Sequence, residues 1–203
     1  MTTVKRKAIF LDKDGTLIPD VPYNVNPSLI TLQDGVIEGL QLLKSRGYFF
    51  VVISNQAGVA RGYFKLEDLE AVKKKLDFLF KEGGIDIEAY YFCPHHPKGS
   101  VPEYSIACNC RKPEPGMILK AAKDLDINTQ QSWMVGDILN DVEAGNKAGC
   151  KTVLLDIGNE TEWVDGNFRQ PTYTASNFFE AAQFISGDLI ETKKEDGEKL
   201  GAR

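Results

Sequence analysis

The sequence lacks any apolar run long enough to span a bilayer, which excludes a protein built on membrane-spanning helices. It also lacks an excess of basic residues, because 24 Lys and Arg residues stand against 29 Asp and Glu residues. This mild acidity argues against a nucleic-acid or membrane-surface partner. Residues 1–7 carry charge with no apolar secretory segment behind them, so the sequence predicts a cytoplasmic location.

Internal repeats are missing as well. A length of 203 residues with 42% hydrophobic residues fits one α/β domain with a full core, which we expect over residues 1–190. Residues 191–203 are charged and poor in apolar residues, and this composition predicts a disordered tail. A monomer is the default expectation.

Short apolar runs rich in β-branched and aromatic residues alternate along the chain with amphipathic stretches of helical period. The predicted strands cover residues 8–11, 49–54, 88–92, 133–136 and 152–155. The predicted helices cover residues 36–46, 66–82, 115–125, 141–148 and 177–185. This alternation favours a doubly wound, parallel α/β sheet of Rossmann-like type with right-handed crossovers.

The first predicted strand ends in two carboxylates, Asp12 and Asp14. An anionic carboxylate can attack a phosphate monoester only if a bound cation and nearby donors neutralise both charges. Magnesium suits this role, because it is a hard cation that takes carboxylate, water and phosphate oxygens. We therefore predict that Asp12 is the nucleophile and a magnesium ligand, and that Asp14 is the general acid and base.

The residues around this pair have expected roles of their own. Asp14 is expected to offer the metal its backbone carbonyl, which leaves its side chain free for proton transfer. Gly15 permits a tight turn with amides that point at phosphate oxygens, and Thr16 is expected to hydrogen-bond the nucleophile. The alternative is an ordinary surface turn or a calcium loop, since D-x-D-G occurs in both.

Three further polar sets follow predicted strands or precede a predicted helix. In a parallel sheet these positions meet at the edge where ligands bind. Ser54 and Lys112 are candidates to stabilise the transferring phosphoryl group, and Asp137 is a candidate magnesium ligand. Asp141 is expected to hold a metal-bound water or to orient Lys112. Individually these residues also fit a strand-end turn, a solvated surface lysine and a helix N-cap, but one reaction explains all of them.

The chain has only four cysteines and two histidines, and most of them fall between residues 93 and 110. Cys93 and His95 share the spacing of Cys108 and Cys110, which brings three thiols and an imidazole within reach of one centre. Sulfur with nitrogen in a tetrahedral set favours zinc. A disulfide is the weaker alternative, because the compartment is predicted to be reducing and pairing within C-x-C is strained.

Four protein ligands leave no open position for water, so the predicted zinc is structural. The zinc is expected to fix the conformation of the loop. Because Arg111 and Lys112 follow Cys110 directly, a fixed loop would position both side chains at the phosphate. His96 remains an alternative to His95 as the imidazole ligand. Cys150 is expected to be a small buried residue.

Together these sets resemble the haloacid dehalogenase superfamily of phosphohydrolases over residues 8–155. The resemblance implies magnesium bound by Asp12, Asp14 and Asp137. It implies substrate recognition by Arg111. The residues that match the substrate contacts of the superfamily's zinc-containing branch are Asp20, Val21, Pro22, Tyr23, Ser54, Asn55, Gln56, Ala57 and Lys112.

Within the superfamily, the runs Y-F-C-P-H-H-P and C-x-C-R-K-P-x-P-G-M are similar to a zinc-containing branch that includes phosphatases of heptose bisphosphate and of histidinol phosphate. The zinc loop and residues 54–62 are closer to the heptose phosphatases. The resemblance implies hydrolysis of the 7-phosphate of D-glycero-D-manno-heptose 1,7-bisphosphate in nucleotide-activated heptose biosynthesis. Lipopolysaccharide and a nucleotide-activated glycoprotein are the alternative destinations of the product. Histidinol phosphate is the alternative substrate, and a non-enzymatic receiver-like or interaction protein is the alternative class.

The chain departs from this branch at one position. Several members have Lys or Arg directly after the metal-binding Asp, whereas this chain has Ile138, so Arg61, Lys98 and Arg111 are the candidates for a second phosphate. The segments 17–36 and 92–114 are too short for a folded cap domain. Specificity is therefore expected from the loops at residues 18–26 and 56–64 and from the zinc loop.

Overall fold

A computed structural model describes residues 5–189 of the chain, and in it six parallel strands form one sheet. The strands are β1 (Ala8–Leu11), β2 (Phe49–Asn55), β3 (Ile87–Cys93), β4 (Trp133–Gly136), β5 (Lys151–Leu155) and β6 (Tyr173–Ala175). Their order across the sheet is β3-β2-β1-β4-β5-β6. The order reverses at β1, which pairs with β2 on one side and β4 on the other. Such a reversal opens a crevice at the carboxyl ends of the strands.

Five α-helices cover the two faces of the sheet. They are α1 (Val36–Ser45), α2 (Leu69–Glu82), α3 (Gly116–Asp124), α4 (Leu139–Lys147) and α5 (Phe178–Ser186). The buried apolar side chains of α1 and α5 and most of those of α2 belong to one cluster, and those of α3 belong to a second. Helix α4 adds Ala144 to the second cluster and packs Leu139 and Val142 against Leu154 of β5. Because successive strand residues point to opposite faces, Ile9 and Leu11 enter the first cluster while Ala8 and Phe10 enter the second. The predicted doubly wound α/β fold is confirmed.

Some predicted bounds differ from the structure. The predicted helix over residues 66–82 begins with a 3-10 turn, Leu66–Asp68, before α2. The helix predicted from residue 141 begins at Leu139, because the carboxylate of Asp141 accepts from the Ile138 amide and so caps the helix from its first turn. Strand β6 was not predicted. The predicted tail at residues 191–203 lies outside the described residues. Within residues 5–189, no helix combines the length and the apolar character that crossing a membrane requires.

Candidate active site

Four buried side chains meet at the point where the strand order reverses. Asp12 follows β1, Asp137 follows β4, and Asp141 lies in the first turn of α4. The amide of Asp12 donates to the carbonyl of Val135 at 3.0 Å, which continues the β1–β4 pairing by one residue and aligns the two strand ends. Lys112 reaches the same point from the loop before α3. The structure therefore brings together residues that are far apart in sequence.

Lys112 is the positive charge of this centre. Its ammonium donates to the carboxylate of Asp12 and, at 3.0 Å, to the carbonyl of Ile53, and it lies 2.6 Å from Oδ1 of Asp141. Burial opposes the charge on Lys112, but Asp12 and Asp141 outweigh burial and raise its pKa. Burial raises the pKa of Asp12 well above its ordinary value, although Lys112 opposes this shift. Lys112 therefore stays charged, and the electrostatic cost of burial is seen in the raised pKa of Asp12.

The position of Lys112 is fixed through its backbone. Asn55, at the end of β2, accepts from the Lys112 amide at 3.0 Å and donates to the Lys112 carbonyl at 3.0 Å. Both backbone groups of one loop residue thus bind a single side chain on the sheet. This pair of hydrogen bonds sets where the ammonium can reach.

The carboxylates form a set that can hold a divalent cation. Asp12, Asp137 and Asp141 each offer an oxygen, and these atoms lie within 4.8 Å of one another. Three buried carboxylates beside one ammonium leave an excess of negative charge, which a hard cation with oxygen ligands would neutralise. Burial and then Asp141 raise the pKa of Asp137 to about 6. The donor set therefore fits magnesium.

Residues 15 and 16 shape the surroundings of Asp137. Gly15 has a φ of +83°, and a Cβ at this position would collide with the Asp137 carboxylate, so only glycine fits the turn. The hydroxyl of Thr16 donates to Oδ1 of Asp137 at 3.3 Å. The expectation that Thr16 bonds the nucleophile was therefore wrong, because the turn directs its side chain toward β4.

Asp14 has a different environment from Asp12. Its side chain is partly exposed, pairs with the ammonium of Lys13, and accepts from Nε2 of Gln56 at 3.1 Å. The same amide nitrogen donates to the hydroxyl of Ser54 at 2.8 Å. Asp14 therefore lies apart from the three-carboxylate cluster, with its carboxylate directed toward the residues after β2.

A cleft of about 290 Å³ opens beside these residues. Most of the predicted substrate-binding residues line it. Its lining residues are Lys13, Asp14, Asp20, Val21, Pro22, Tyr23, Asn24, Asn55, Gln56, Ala57, Gly58 and Arg111. Of the predicted set, Ser54 and Lys112 are buried and are not among the lining residues.

Two exposed tyrosines connect the loops at the mouth of this cleft. The ring centroids of Tyr23 and Tyr63 are 4.5 Å apart, with their planes inclined by 59°. Tyr23 belongs to the loop at residues 18–26 and Tyr63 to the loop at residues 56–64. Their contact joins the two loops from which the sequence predicts specificity.

The four predicted zinc ligands also meet at one point. The Sγ atom of Cys110 lies 3.1 Å from that of Cys93 and 3.2 Å from that of Cys108, and Nδ1 of His95 lies 3.3 Å from Cys110. All four cysteines of the chain are free thiols. Tetrahedral zinc with bonds of about 2.3 Å places its sulfur ligands somewhat under 4 Å apart, so the thiol and imidazole donors fit a zinc ion. His96 lies outside this donor set.

Arg111 connects the Cys/His cluster to the cleft. Its guanidinium donates to the carbonyl of His95 at 3.4 Å, and its amide donates to the sulfur of Cys108 at 3.4 Å. Burial lowers the pKa of Arg111 from its ordinary value. The side chain is therefore held by the loop while it lines the cleft.

Two residues of the site were not predicted from the sequence. Lys13 is almost fully buried against Asp14, and Asn159 donates to Oδ2 of Asp137 at 2.7 Å. Asn159 lies shortly after β5, at the same sheet edge as the other site residues. A polar residue shortly after the fifth strand is the sequence signal that indicates it.

A parallel sheet with a buried Asp and Lys centre at its reversal point is the architecture of the haloacid dehalogenase-like hydrolases. The family described as HAD-hydrolase-like matches residues 109–181. The chain belongs to this family, and its named relatives are phosphatases, so it is an enzyme and the receiver-like alternative is set aside.

The relatives are named for one substrate. The chain is 42% identical over 182 residues to D-glycero-beta-D-manno-heptose-1,7-bisphosphate 7-phosphatase of Pasteurella multocida (strain Pm70), covering 90% of this chain and 98% of that one. It is 39% identical over 166 residues to the protein of that name from Escherichia coli K12, covering 77% and 87%. A solved D,D-heptose 1,7-bisphosphate phosphatase from B. bronchiseptica, complexed with magnesium and phosphate, superposes with a TM-score of 0.75 at 27% identity, covering 90% and 99%.

Proposed function

We propose that this phosphatase removes the 7-phosphate of D-glycero-D-manno-heptose 1,7-bisphosphate, with magnesium, through an aspartyl phosphate. The observation that carries the proposal is the 42% identity across 98% of the length of the Pasteurella phosphatase. A match that covers 90% of this chain takes in most of the candidate site as well as the fold. The solved relative with bound magnesium and phosphate supports the same chemistry.

In the first step, an oxygen of Asp12 attacks the phosphorus atom and the bond from phosphorus to the sugar oxygen breaks. Asp14 donates a proton to the departing oxygen, so the sugar leaves as an alcohol. In the second step, Asp14 takes a proton from a water molecule as that water attacks the aspartyl phosphate. The acyl phosphate bond breaks, and Asp12 is restored with release of inorganic phosphate.

Lys112 and Ser54 complete the phosphoryl environment. The ammonium of Lys112 already contacts Asp12, so it can neutralise the attacking carboxylate and the incoming phosphoryl oxygens together. The Ser54 hydroxyl accepts from Gln56, which leaves its proton free for a phosphoryl oxygen. The side-chain amide of Gln56 also donates to the carboxylate of Asp14. It therefore links Ser54, which would donate to the phosphoryl group, to Asp14, the proposed general acid.

Magnesium would be held by Asp12, by Asp137 and by the backbone carbonyl of Asp14. When bound, it offsets the repulsion between the anionic nucleophile and the anionic phosphate. Asp141 lies close enough to join the donor set, but its contact with Lys112 favours the role of orienting that ammonium.

Zinc would be held by Cys93, His95, Cys108 and Cys110, in a purely structural site. These four side chains fill a tetrahedral set, which leaves no position for water or substrate. Their role is to fix the loop from which Arg111 and Lys112 reach the cleft and the carboxylate centre.

The sugar would lie in the cleft. Asp20 and Tyr23 are placed to meet hydroxyl groups, and Arg111 supplies a planar cation for an anionic group. The remaining proposed contacts are Val21, Pro22, Asn55, Gln56 and Ala57. A monomeric state and a cytoplasmic location stay predictions from the sequence.

The test is a comparison of kcat/KM for the α and β anomers of the heptose bisphosphate and for histidinol phosphate, with magnesium present. The names of the relatives lead us to expect the β anomer to react fastest. A kcat/KM for histidinol phosphate equal to or above that for either heptose bisphosphate would overturn the proposed substrate.

A further inference from the structure

Beside the cleft, two loops place a second group of basic side chains that the hydrolysis step does not use. This distal basic cluster consists of Arg61, His96, Lys98 and Arg111. The guanidinium of Arg61 lies 3.5 Å from the imidazole of His96, the Lys98 amide donates to that ring, and the guanidinium of Arg111 donates to the carbonyl of His95. Lys112, the cation of the reacting centre, is not part of the cluster. The cluster therefore forms a separate concentration of donors next to the cleft.

The backbone holds the two loops together at this cluster. The carbonyl of Ala60 accepts from the amides of Ser100 at 2.8 Å and Val101 at 2.9 Å, and the hydroxyl of Ser100 donates to the carbonyl of Arg61 at 2.9 Å. A Cβ at Gly99 would also collide with Ala60. The side chain of Arg61 is thus presented from a braced loop.

The imidazole of His96 faces donors through both of its nitrogens. Nδ1 accepts from the Lys98 amide at 3.1 Å, and a backbone amide can only donate, so the ring proton lies on Nε2. Nε2 lies 3.5 Å from Nη2 of Arg61, which is also a donor. Two N–H groups therefore face one another with no acceptor between them.

Arg61 shows the same shortage of acceptors. Its Nε atom is buried and has no hydrogen-bond partner among residues 5–189. A buried unpaired donor is costly, so Nε of Arg61, beside the second donor of the His96 ring, indicates that an acceptor-rich ligand completes the group. Arg111 lines the cleft, and its guanidinium also donates to the carbonyl of His95, next to His96, so the cluster adjoins the cleft.

We propose that Arg61 and His96 form an anion subsite that binds the phosphate that is not transferred. Phosphate fits because its oxygens accept hydrogen bonds from several donors at once and guanidinium groups pair with them in a forked geometry. This inference rests on the proposed function in taking a sugar bisphosphate as the ligand. It makes Arg61 and His96 specificity-determining residues, whereas the proposed catalytic groups are Asp12, Asp14 and Lys112.

The test uses the substitutions Arg61→Gln and His96→Asn in the full chain. Asn at residue 96 keeps an acceptor for the Lys98 amide but lacks the second ring donor. Each variant is assayed with the heptose 1,7-bisphosphate and with the heptose 7-phosphate. We expect kcat/KM for the bisphosphate to fall by about 10- to 100-fold, mainly through KM, with a drop of less than about threefold for the 7-phosphate.

A binding arm tests the subsite without turnover. Heptose 1-phosphate carries only the phosphate that is not transferred, and inorganic phosphate reports on binding at the reacting centre. Calorimetry on the Arg61→Gln protein should show a Kd for heptose 1-phosphate raised by about tenfold or more, with the Kd for inorganic phosphate changed by less than about twofold. A parallel loss of both would mean that free phosphate had occupied the cluster, and would overturn the assignment to the sugar-bound phosphate.

The matched control is Arg46→Gln, which removes the same charge from an exposed arginine paired with Asp188. Circular dichroism and melting temperatures check folding, and His96→Asn decides the question if Arg61→Gln does not fold. An unchanged ratio of bisphosphate to monophosphate activity in the folded variants would overturn the subsite. If the wild type hydrolyses neither heptose phosphate, the proposed function fails, and the Kd of heptose 1-phosphate alone decides the subsite.

Discussion

The two candidate metal centres of this protein are built in opposite ways. The carboxylate centre lies at strand ends, and its members are at most 7% exposed. The Cys/His cluster lies mostly in the loop between β3 and α3, and only Cys93 among its four residues is buried. The reacting groups thus depend on the rigid sheet, whereas the loop has no regular secondary structure and depends on its own side chains for shape.

This difference predicts how the fold and the activity respond when a side chain is removed from each centre. Removing a group from the sheet edge should leave the fold intact and stop the chemistry, because neighbouring strands still hold the backbone. Removing a ligand from the loop should release the loop and reduce activity indirectly through Arg111 and Lys112. The following variants test this contrast.

The largest effect is expected for Asp12→Asn. An amide cannot act as the nucleophile, so kcat should fall by about 10³-fold or more while the melting temperature stays within a few degrees of the wild type. Steady-state hydrolysis and circular dichroism are the measurements, and Asp165→Asn, on the exposed loop before β6, is the control. Sustained turnover by a variant shown by mass spectrometry to be free of deamidation would contradict the nucleophile assignment.

The next largest effect is expected for Cys108→Ser. A hydroxyl is a poor zinc ligand, so the variant should lose its metal, melt at a lower temperature and lose activity with it. Metal analysis by mass spectrometry and thermal unfolding measure this. Cys150→Ser is the control, because Cys150 is a buried cysteine outside the four-residue donor set, and this variant should retain one zinc per chain. One zinc per chain retained in Cys108→Ser would count against the ligand set.

A smaller effect is expected for Asn159→Ala. Loss of its hydrogen bond frees the Asp137 carboxylate, and the magnesium concentration for half-maximal activity should rise by about 10-fold. The stabilisation of the protein by added magnesium in thermal unfolding should weaken in parallel. Asn167→Ala, an exposed position in the same loop, should behave as the wild type. An unaltered magnesium dependence in both assays would show that Asn159 does not position Asp137.

The smallest effect is expected for Tyr63→Ala. The ring of Tyr63 packs on Tyr23 at the mouth of the cleft, so its loss should raise KM for the sugar phosphate by about two- to fivefold with kcat nearly constant. Tyr63→Phe retains the ring and should preserve KM. If the Phe and Ala variants share the same KM, the ring contact does not shape the cleft.

The sequence predicted the architecture best where burial was complete. Strands β1 and β4 are apolar throughout and buried on both faces, and their predicted bounds match the structure. Strand β6 has three residues, of which Thr174 is exposed, so it carries no readable pattern. The start of α4 was misplaced because Asp141 reads as a first helical residue, although its side chain caps the residues before it.

The site divides in the same way. The convergence of Asp12, Ser54 and Asp137 was predictable because the carboxyl ends of parallel strands meet at one edge of the sheet, a property of the topology alone. The pairing of Lys13 with Asp14 and the hydrogen bond from Asn159 depend on how a turn and a long loop direct their side chains. Such directions follow from the packing of the whole chain, and no local pattern encodes them.

The pairing of β1 with β4 also bears on how the enzyme is made. Thr16 and Asp137, which hydrogen-bond in the finished centre, lie 121 positions apart in the chain. Because translation proceeds from the amino terminus, β1, β2 and β3 are synthesised well before β4. Contacts between residues so far apart in sequence also form slowly. The central place in the sheet beside β1 must stay open until β4 arrives. A nascent chain that ends before residue 137 would already hold Asp12, the proposed nucleophile, but would lack Asp137 and Asp141 and could not yet hydrolyse a phosphate.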